Sequence, residues 1–163
     1  MRPIDRQAMV LVVATLIADQ LSKQLLLGYL LNTSAKMVSV IDGFFRLVVV
    51  MNSGVSFGLL GGDRPLPAWL LSAVAIVVCI GLFIWLRRSE RPFTGWGIGL
   101  VMGGAIGNVI DRARWGAVFD FADFHVDRWH WPAFNVADSA IVIGVGLMLI
   151  DSLIGERQRA RPD

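Results

Sequence analysis

Long apolar blocks, separated by shorter polar segments, dominate the chain. The block at residues 68–86 has no charged residue in 19 positions. A helix of that length rises about 28 Å, close to the roughly 30 Å hydrocarbon core of a bilayer. Similar blocks lie at residues 9–31, 93–110 and 137–154. The pattern predicts an all-α integral membrane protein with four transmembrane helices, forming a single membrane domain over residues 1–163.

The segment between the first two blocks, residues 32–67, has a different pattern. Apolar and polar residues alternate around Met37–Ile41, Asp-Gly at positions 42–43 is a turn signal, and residues 44–51 are rich in valine and phenylalanine. This order is typical of a short hairpin or small sheet. A second turn follows at Asn-Ser-Gly, residues 52–54. We therefore expect a small β-containing region in this loop.

The distribution of basic residues predicts the orientation in the membrane. They crowd the N-terminal end, the link between the second and third helices, and the C-terminal tail: Arg2, Arg6, Arg87, Arg88, Arg91, Arg157, Arg159 and Arg161. The longer loops at 32–67 and 111–134 hold only six Lys or Arg together. Because basic residues near helix ends favour the cytoplasmic side, we predict cytoplasmic termini and two extracytoplasmic loops.

The overall composition agrees with a membrane protein. Hydrophobic residues make up 55% of the chain and charged residues 17%, against roughly 25% charged in a soluble domain. The pI of about 9.2 reflects the basic segments on one side, so no nucleic-acid partner is expected. The apolar pattern of the first block resumes after Lys23, which favours a retained helix over the alternative of a cleaved signal peptide. The single Cys79 is expected to be a packing residue.

Two opposite charges lie within the first apolar block. Asp19 and Lys23 are four positions apart and therefore share one face of a helix. Each alone would cost roughly 2.5 to 3.5 kcal/mol at the bilayer centre, so we expect them to form an ion pair. Two roles remain open. The pair is either purely structural, or one member positions a substrate or an active-site carboxylate.

The third helix combines a small-residue face with a polar end. Its glycines follow a four-residue spacing that permits close helix packing, with one more beside them: Gly95, Gly99, Gly103, Gly107 and Gly104. Asn108, Asp111 and Arg112 follow at spacings that bring them to one side of the helix. Asp111 and Arg112 are expected to serve structure, with Arg112 binding either a carboxylate or a lipid phosphate.

Two aspartates near the second long loop are the strongest candidates for chemistry. Asp120 lies within an apolar stretch, where burial would raise the pKa of a carboxyl group. Asp138 begins the fourth helix, where an N-cap is the simpler alternative. Two carboxylates brought together can hydrolyse an amide, one taking a proton from water and the other donating one. Asp123 and Asp127 are most simply solvated loop charges.

Other chemistries have less support in the sequence. His125 and His130 lie in the second long loop with no zinc-protease or serine-hydrolase motif, so neither a metal nor a cofactor is expected. They are expected at the membrane interface with Trp129 and Trp131. The alternative function is a small multi-pass transporter or proton-relay subunit that uses intramembrane charges. The absence of ionisable groups from the second helix argues against it.

Five motifs together resemble the bacterial lipoprotein signal peptidases, also called signal peptidase II. They are Asp-Gln-Leu-Ser-Lys at 19–23, Asn-Ser-Gly-Val-Ser-Phe at 52–57, Gly-Gly-Ala-Ile-Gly-Asn-Val-Ile-Asp-Arg at 103–112, Val-Phe-Asp-Phe at 118–121 and Phe-Asn-Val-Ala-Asp at 134–138. They occur in the family's order and cover nearly the whole chain. The resemblance implies an aspartyl endopeptidase that removes signal peptides from prolipoproteins, cutting before a diacylglyceryl-modified cysteine.

The resemblance also assigns site residues and partners. Asp120 and Asp138 match the catalytic pair. Other matching positions are expected to bind substrate or support the site: Asn52, Gly54, Gly104, Asn108, Asp111, Arg112, Asn135, Ala137, Asp19 and Lys23. The implied partners are diacylglyceryl-modified prolipoproteins, membrane lipids and globomycin-type cyclic peptide inhibitors. The implied location is the bacterial cytoplasmic membrane, with the active site near its outer face.

Overall fold

The computed structural model describes residues 1–54 and 66–159. Within these two ranges, four helices are long and apolar enough to cross a membrane. They are α1 (Pro3–Leu31), α2 (Ala68–Arg88), α3 (Pro92–Trp115) and α4 (Val136–Arg159). Together with a small sheet, they give a mostly helical protein with a minor β part. Residues 55–57 of the second motif, and part of the loop predicted at 32–67, lie outside the described residues.

The helices continue beyond the apolar blocks that predicted them. α1 begins at Pro3 rather than near residue 9, because proline suits the first helical position and Arg2 and Asp5 form a capping box. α3 continues to Trp115 rather than residue 110 and ends at Gly116, whose φ of 72° favours glycine. Asp111 and its neighbours therefore lie inside the last turns of α3 and not in a loop.

Helix α3 is the centre of the bundle. It contacts each of the other three helices. In its most apolar stretch 61% of the residues are buried, against 6% in that of α2. Gly99 and Gly103 face α1 so closely that a Cβ at either would lie under 3 Å from α1 atoms. A Cβ at Gly107 would lie 2.5 Å from Asp19 Oδ2. The glycine face thus brings α1 against α3 and leaves room for the Asp19 carboxylate.

The β part is a four-stranded antiparallel sheet in the order β1-β2-β3-β4. The strands are β1 (Met37–Ile41), β2 (Phe45–Asn52), β3 (Val118–Val126) and β4 (Trp129–His130). The first hairpin agrees with the alternation and turn predicted from sequence. The last two strands occupy a region that the sequence suggested to be a loop. Buried Leu30, Phe119 and Phe121 pack the sheet against the end of α1.

The chain order brings one end of every helix to the sheet. α1 and α3 end there, while α2 and α4 begin there. The arginines at the start of α1 and between α2 and α3 lie at the opposite end. Asn52, at the end of β2, and Asp120, on β3, are therefore close to the first turn of α4.

Candidate active site

Lys23 is fully buried among acidic groups from two helices. Its Nζ lies 2.9 Å from Asp19 Oδ2 and 2.8 Å from Asp111 Oδ2. It also donates to Asn108 Oδ1 at 3.2 Å. All three charged side chains are 0% exposed, so their charges must be compensated within the protein. The ion pair expected between Asp19 and Lys23 is thus part of a three-charge cluster that joins α1 to α3.

The two carboxylates of this cluster also hold backbone amides of other elements. Ala137 N, in the first turn of α4, donates to Asp19 Oδ1 at 3.0 Å. Phe119 N, on β3, donates to Asp111 Oδ2 at 3.2 Å. Each of these amides directly precedes one of the two aspartates predicted to be catalytic. The charge cluster therefore fixes the relative placement of α4 and β3.

Asp120 is almost completely buried on β3, with 1% of its surface exposed. Asn52 Nδ2 donates to its Oδ2 at 3.0 Å, and Asn135 Nδ2 donates to its Oδ1 at 2.7 Å. Burial raises the pKa of Asp120 to about 6, the hydrogen bond from Asn52 opposes the rise, and repulsion from Asp138 adds to it. The side chain consequently holds its proton more tightly than an ordinary aspartate.

Asp138 occupies the third position of α4, and the N-cap is Asn135. Asp138 N donates to Asn135 Oδ1 at 2.9 Å, and Asn135 N donates to Asp138 Oδ2 at 3.2 Å. This reciprocal pair has the form of a capping box. The interpretation of Asp138 as an N-cap is therefore wrong. Its other oxygen, Oδ1, accepts a 2.9 Å hydrogen bond from Asn108 Nδ2, and the side chain is only half-buried.

Three asparagines surround the two carboxylates, and a neighbouring donor fixes the amide orientation of each. These donors are Gly54 N for Asn52, Asp138 N for Asn135 and Lys23 Nζ for Asn108. Because each oxygen already accepts a hydrogen bond, each Nδ2 is free to face a carboxylate. Asn52 and Asn135 donate to Asp120, whereas Asn108 donates to Asp138. The site is therefore preorganised by amides that cannot rotate without losing a bond.

The two aspartates come from different elements and meet at Asn135. Its side-chain amide binds Asp120 and its backbone amide binds Asp138. Their surroundings differ: Asp120 is buried with a raised pKa, and Asp138 is half-buried at the positive end of a helix dipole. Different surroundings for two neighbouring carboxyl groups allow one to donate a proton while the other accepts one.

The remaining predicted site residues lie around this pair. Gly54 has a φ of 89° and supplies the amide that orients Asn52. A Cβ at Gly104 would lie 2.4 Å from Ala137 O, so these two residues permit close packing of α3 on α4. Arg112 is half-buried and donates to Asn108 O at 3.4 Å. Its Nε is buried and has no hydrogen-bond partner within residues 1–54 and 66–159.

A second polar cluster lies further along β3, and the sequence did not indicate it. Asp123 is 5% exposed and binds Arg46 Nε at 2.5 Å, so its interpretation as a solvated loop charge is wrong. His130 Nδ1 lies 3.2 Å from Asp123 Oδ1, and the His125 and His130 rings stack. Asp127 is exposed. The two-residue spacing of Asp123 and His125 would have indicated one face of a strand, had β3 been predicted.

The fold and this arrangement define a membrane protein with the groups that hydrolysis requires. Residues 11–154 match the family described as signal peptidase (SPase) II. The chain belongs to this family and is a peptidase. Its family and its four apolar helices fit a multi-pass inner-membrane protein.

Several bacterial relatives are similar to this chain over most of their length. The lipoprotein signal peptidase of Methylobacterium radiotolerans is 43% identical over 161 residues, covering 96% of this chain and 92% of the relative. That of Methylorubrum extorquens is 44% identical over 150 residues, covering 91% and 86%. The lipoprotein signal peptidase of Caulobacter vibrioides is also 44% identical, over 147 residues that cover 89% and 85%.

Two solved structures share the fold. One is a bacterial membrane enzyme determined by the in meso method at 2.3 Å resolution, with a TM-score of 0.76 and 27% identity over 96% of this chain and 92% of that one. The other, a bacterial membrane enzyme determined by the same method at 1.9 Å, has a TM-score of 0.71 and 30% identity over 90% and 92%. The described arrangement of helices and sheet is thus that of known membrane enzymes.

Proposed function

We propose that this protein is an aspartyl endopeptidase that removes signal peptides from prolipoproteins, and that Asp120 and Asp138 are its catalytic residues. The bond cleaved is the peptide bond before a diacylglyceryl-modified cysteine. The observation that carries the proposal is the meeting of these two carboxyl groups at Asn135, in unlike surroundings. Family membership and the relatives named lipoprotein signal peptidase support the substrate class.

Asp138 acts as the general base in this mechanism. It accepts hydrogen bonds from Asn108 Nδ2 and Asn135 N, and the N-terminus of α4 stabilises negative charge there. Its partial exposure lets a water molecule approach the carboxylate. Asp138 removes a proton from this water as the oxygen attacks the scissile carbonyl carbon, giving a tetrahedral intermediate.

Asp120 acts as the general acid. Its raised pKa of about 6 makes the protonated form, which a proton donor requires, more populated near neutral pH than in an ordinary aspartate. Asp120 gives its proton to the reacting amide, and collapse of the intermediate breaks the C–N bond. The proton taken from water by Asp138 then restores the starting state of the pair. This scheme uses no metal and no covalent intermediate, and it is the proton-sharing chemistry of paired carboxylates.

The surrounding polar residues position the pair and the substrate. Asn52, Asn108 and Asn135 orient the carboxylates, and the cluster around Lys23 holds their supporting elements. We propose that the guanidinium of Arg112, whose buried Nε has no partner in the described part of the chain, binds a substrate carbonyl or a lipid phosphate. We expect a globomycin-type cyclic peptide to compete with the substrate for this site.

The proposed orientation puts the termini in the cytoplasm and the site near the outer face of the membrane. The arginines at the start of α1 and between α2 and α3 lie at the end of the bundle opposite the sheet, which supports a cytoplasmic position for that end. A lipid-modified cysteine keeps its acyl chains in the bilayer, so its peptide bond reaches the site at the interface. Reporter fusions in the two longer loops test this orientation.

The transporter or proton-relay alternative has little support from the described residues. A relay needs ionisable groups at successive depths. α2 has no charged residue from Ala68 to Leu86. The buried charges Asp19, Lys23 and Asp111 are instead engaged with one another and with the elements that carry the aspartate pair.

The decisive experiment compares two forms of one precursor. The purified protein in detergent is given a prolipoprotein with and without the diacylglyceryl group, and product masses identify the cleaved bond. The proposal predicts cleavage before the modified cysteine and little cleavage of the unmodified form. Equal cleavage of both forms would contradict the substrate assignment, and no cleavage of either by folded protein would contradict the function.

A further inference from the structure

Asp123, His125 and His130 form a compact cluster on the hairpin of β3 and β4, beyond the aspartate pair. One ligand atom from each, a carboxylate oxygen and two ring nitrogens, lies within 4.8 Å of the others. Asp123 and His125 are two positions apart on β3 and share a face of the strand. His130 pairs directly with His125 across the hairpin. The fold thus brings together three groups that commonly bind transition metals.

We propose that Asp123, His125 and His130 bind a divalent transition metal, with zinc the best-suited ion. Two imidazoles and one carboxylate are a frequent zinc ligand set, whereas magnesium and calcium prefer oxygen ligands throughout. This site is separate from the hydrolytic pair, and its occupancy does not depend on the proposed function.

The distance between the His130 and Asp123 ligand atoms matches that expected around a tetrahedral ion. Zinc bonds of about 2.0 to 2.1 Å at tetrahedral angles place neighbouring ligand atoms about 3.3 Å apart. His130 Nδ1 and Asp123 Oδ1 are 3.2 Å apart. The two imidazole rings stack with their centroids 5.2 Å apart and an interplanar angle of 16°. The ring nitrogen of His125 lies within 4.8 Å of the other two ligand atoms, so it must move towards them when a tetrahedral ion binds.

Two further features favour a ligand at this position. His125 Nδ1 is buried and has no hydrogen-bond partner within residues 1–54 and 66–159, which is unusual for a polar atom. Arg46 Nε binds the second oxygen of Asp123 at 2.5 Å, the kind of outer contact that orients a metal-bound carboxylate. His130 is 41% exposed, so an ion and a water ligand can reach the cluster from solvent.

The histidine content of the chain permits a direct test. The sequence contains only two histidines, His125 and His130, and both belong to the cluster. In full-length protein without a histidine tag, ¹⁵N labelling of histidine gives side-chain NMR signals from these two residues alone. Zinc is added to the chelator-treated, detergent-solubilised protein. Signals of both rings should shift together and saturate at one zinc per chain, while magnesium should leave them unchanged.

Variants identify the third ligand. Asp123→Asn should weaken zinc binding by at least tenfold, since one ligand loses its charge, as measured by calorimetry. Asp127→Asn on the same hairpin is the matched control, because asparagine tolerates the φ of 53° at that position, and it should bind zinc like the wild type. Unshifted histidine signals in wild-type protein at a molar excess of zinc would overturn the proposal. So would equal affinity in the Asp123 and Asp127 variants.

Discussion

Asn135 Nδ2 donates a 2.7 Å hydrogen bond to Asp120 Oδ1 and thereby joins the N-cap of α4 to strand β3. The same residue caps α4 through its Oδ1, which accepts from Asp138 N. A single side chain therefore both caps the helix and binds one of the two aspartates. This double role makes its two functions separable by substitution.

Replacement of Asn135 by alanine and by serine should separate these functions. Asn135→Ala loses the cap and should destabilise the protein by about 1 kcal/mol. Asn135→Ser keeps a capping oxygen but has no amide that reaches Asp120. We expect both variants to cleave more slowly by up to about tenfold, because Asp120 loses the amide that orients it and a hydrogen bond between neutral groups contributes about 0.5 to 1.5 kcal/mol. Thermal melting and cleavage rates measure the two effects.

The serine variant decides the interpretation. Its melting temperature should be close to that of the wild type, while its cleavage rate should stay low. A serine variant that cleaves at the wild-type rate would show that the bond from Asn135 to Asp120 has no part in activity.

Ionisation of Asp120 should lower stability as the pH rises. Its pKa is raised from 3.8 to about 6, so the folded state holds the proton more tightly than the unfolded state. The resulting contribution to the free energy of unfolding is complete below pH 3.8 and is lost as the pH rises through about 6. It amounts to on the order of 3 kcal/mol. Asp120→Asn cannot ionise, so its melting temperature minus that of the wild type should increase between pH 4 and 7.

The exposed Asp127 supplies the control for this pH series. The melting temperature of Asp127→Asn should differ from the wild type by a small amount that does not vary over the same interval. A constant difference for Asp120→Asn as well would mean that burial does not perturb this carboxyl group.

Much of the fold follows from local sequence patterns. The 19 charge-free positions from Ala68 to Leu86 are long enough to cross a bilayer, and the structure has a helix there. The alternation and the Asp-Gly turn likewise indicated the first hairpin. The sequence pattern does not indicate strand β3, because the apolar pair Phe121 and Ala122 interrupts its alternation and its pairing with β2 joins segments far apart in the chain. Long-range pairing leaves little trace in a local pattern.

The candidate site was predictable in part. The apolar neighbours of Asp120 and the four-residue spacing of Asp19 and Lys23 indicate these three residues from the sequence alone. Their partners could not be derived, because Asp19 binds Ala137 N across 118 positions. The alternative of an N-cap at Asp138 rather than Asn135 arises because both residue types favour that position and a sequence does not define a helix boundary to the residue.

Lys23 should be essential for folding. Lys23→Met leaves the buried carboxylates of Asp19 and Asp111 without their cation, which should destabilise the protein by about 3 to 5 kcal/mol. The exposed Lys36 is the matched control, and Lys36→Met should change stability by less than about 0.5 kcal/mol. Yield and thermal melting in detergent measure the difference. Similar melting of the two variants would contradict a buried charge cluster.

Gly107 should tolerate no side chain. A Cβ there would lie 2.5 Å from Asp19 Oδ2, so Gly107→Ala must displace the carboxylate or separate α1 from α3. We expect a loss of about 1 to 3 kcal/mol. Gly146→Ala is the control, because no atom lies within 4 Å of its added Cβ, and alanine should stabilise that helix by up to about 1 kcal/mol. Equal melting temperatures would contradict the close packing.

The most direct test of the central claim is cleavage of a diacylglyceryl-modified prolipoprotein by Asp120→Asn and Asp138→Asn, with Asp127→Asn as control. General acid–base catalysis contributes roughly 10² to 10⁴ in rate. Each of the first two variants should therefore lose at least 100-fold in activity while remaining folded by thermal melting. The control should cleave like the wild type. Near-normal cleavage by either Asp120→Asn or Asp138→Asn would contradict catalysis by the aspartate pair.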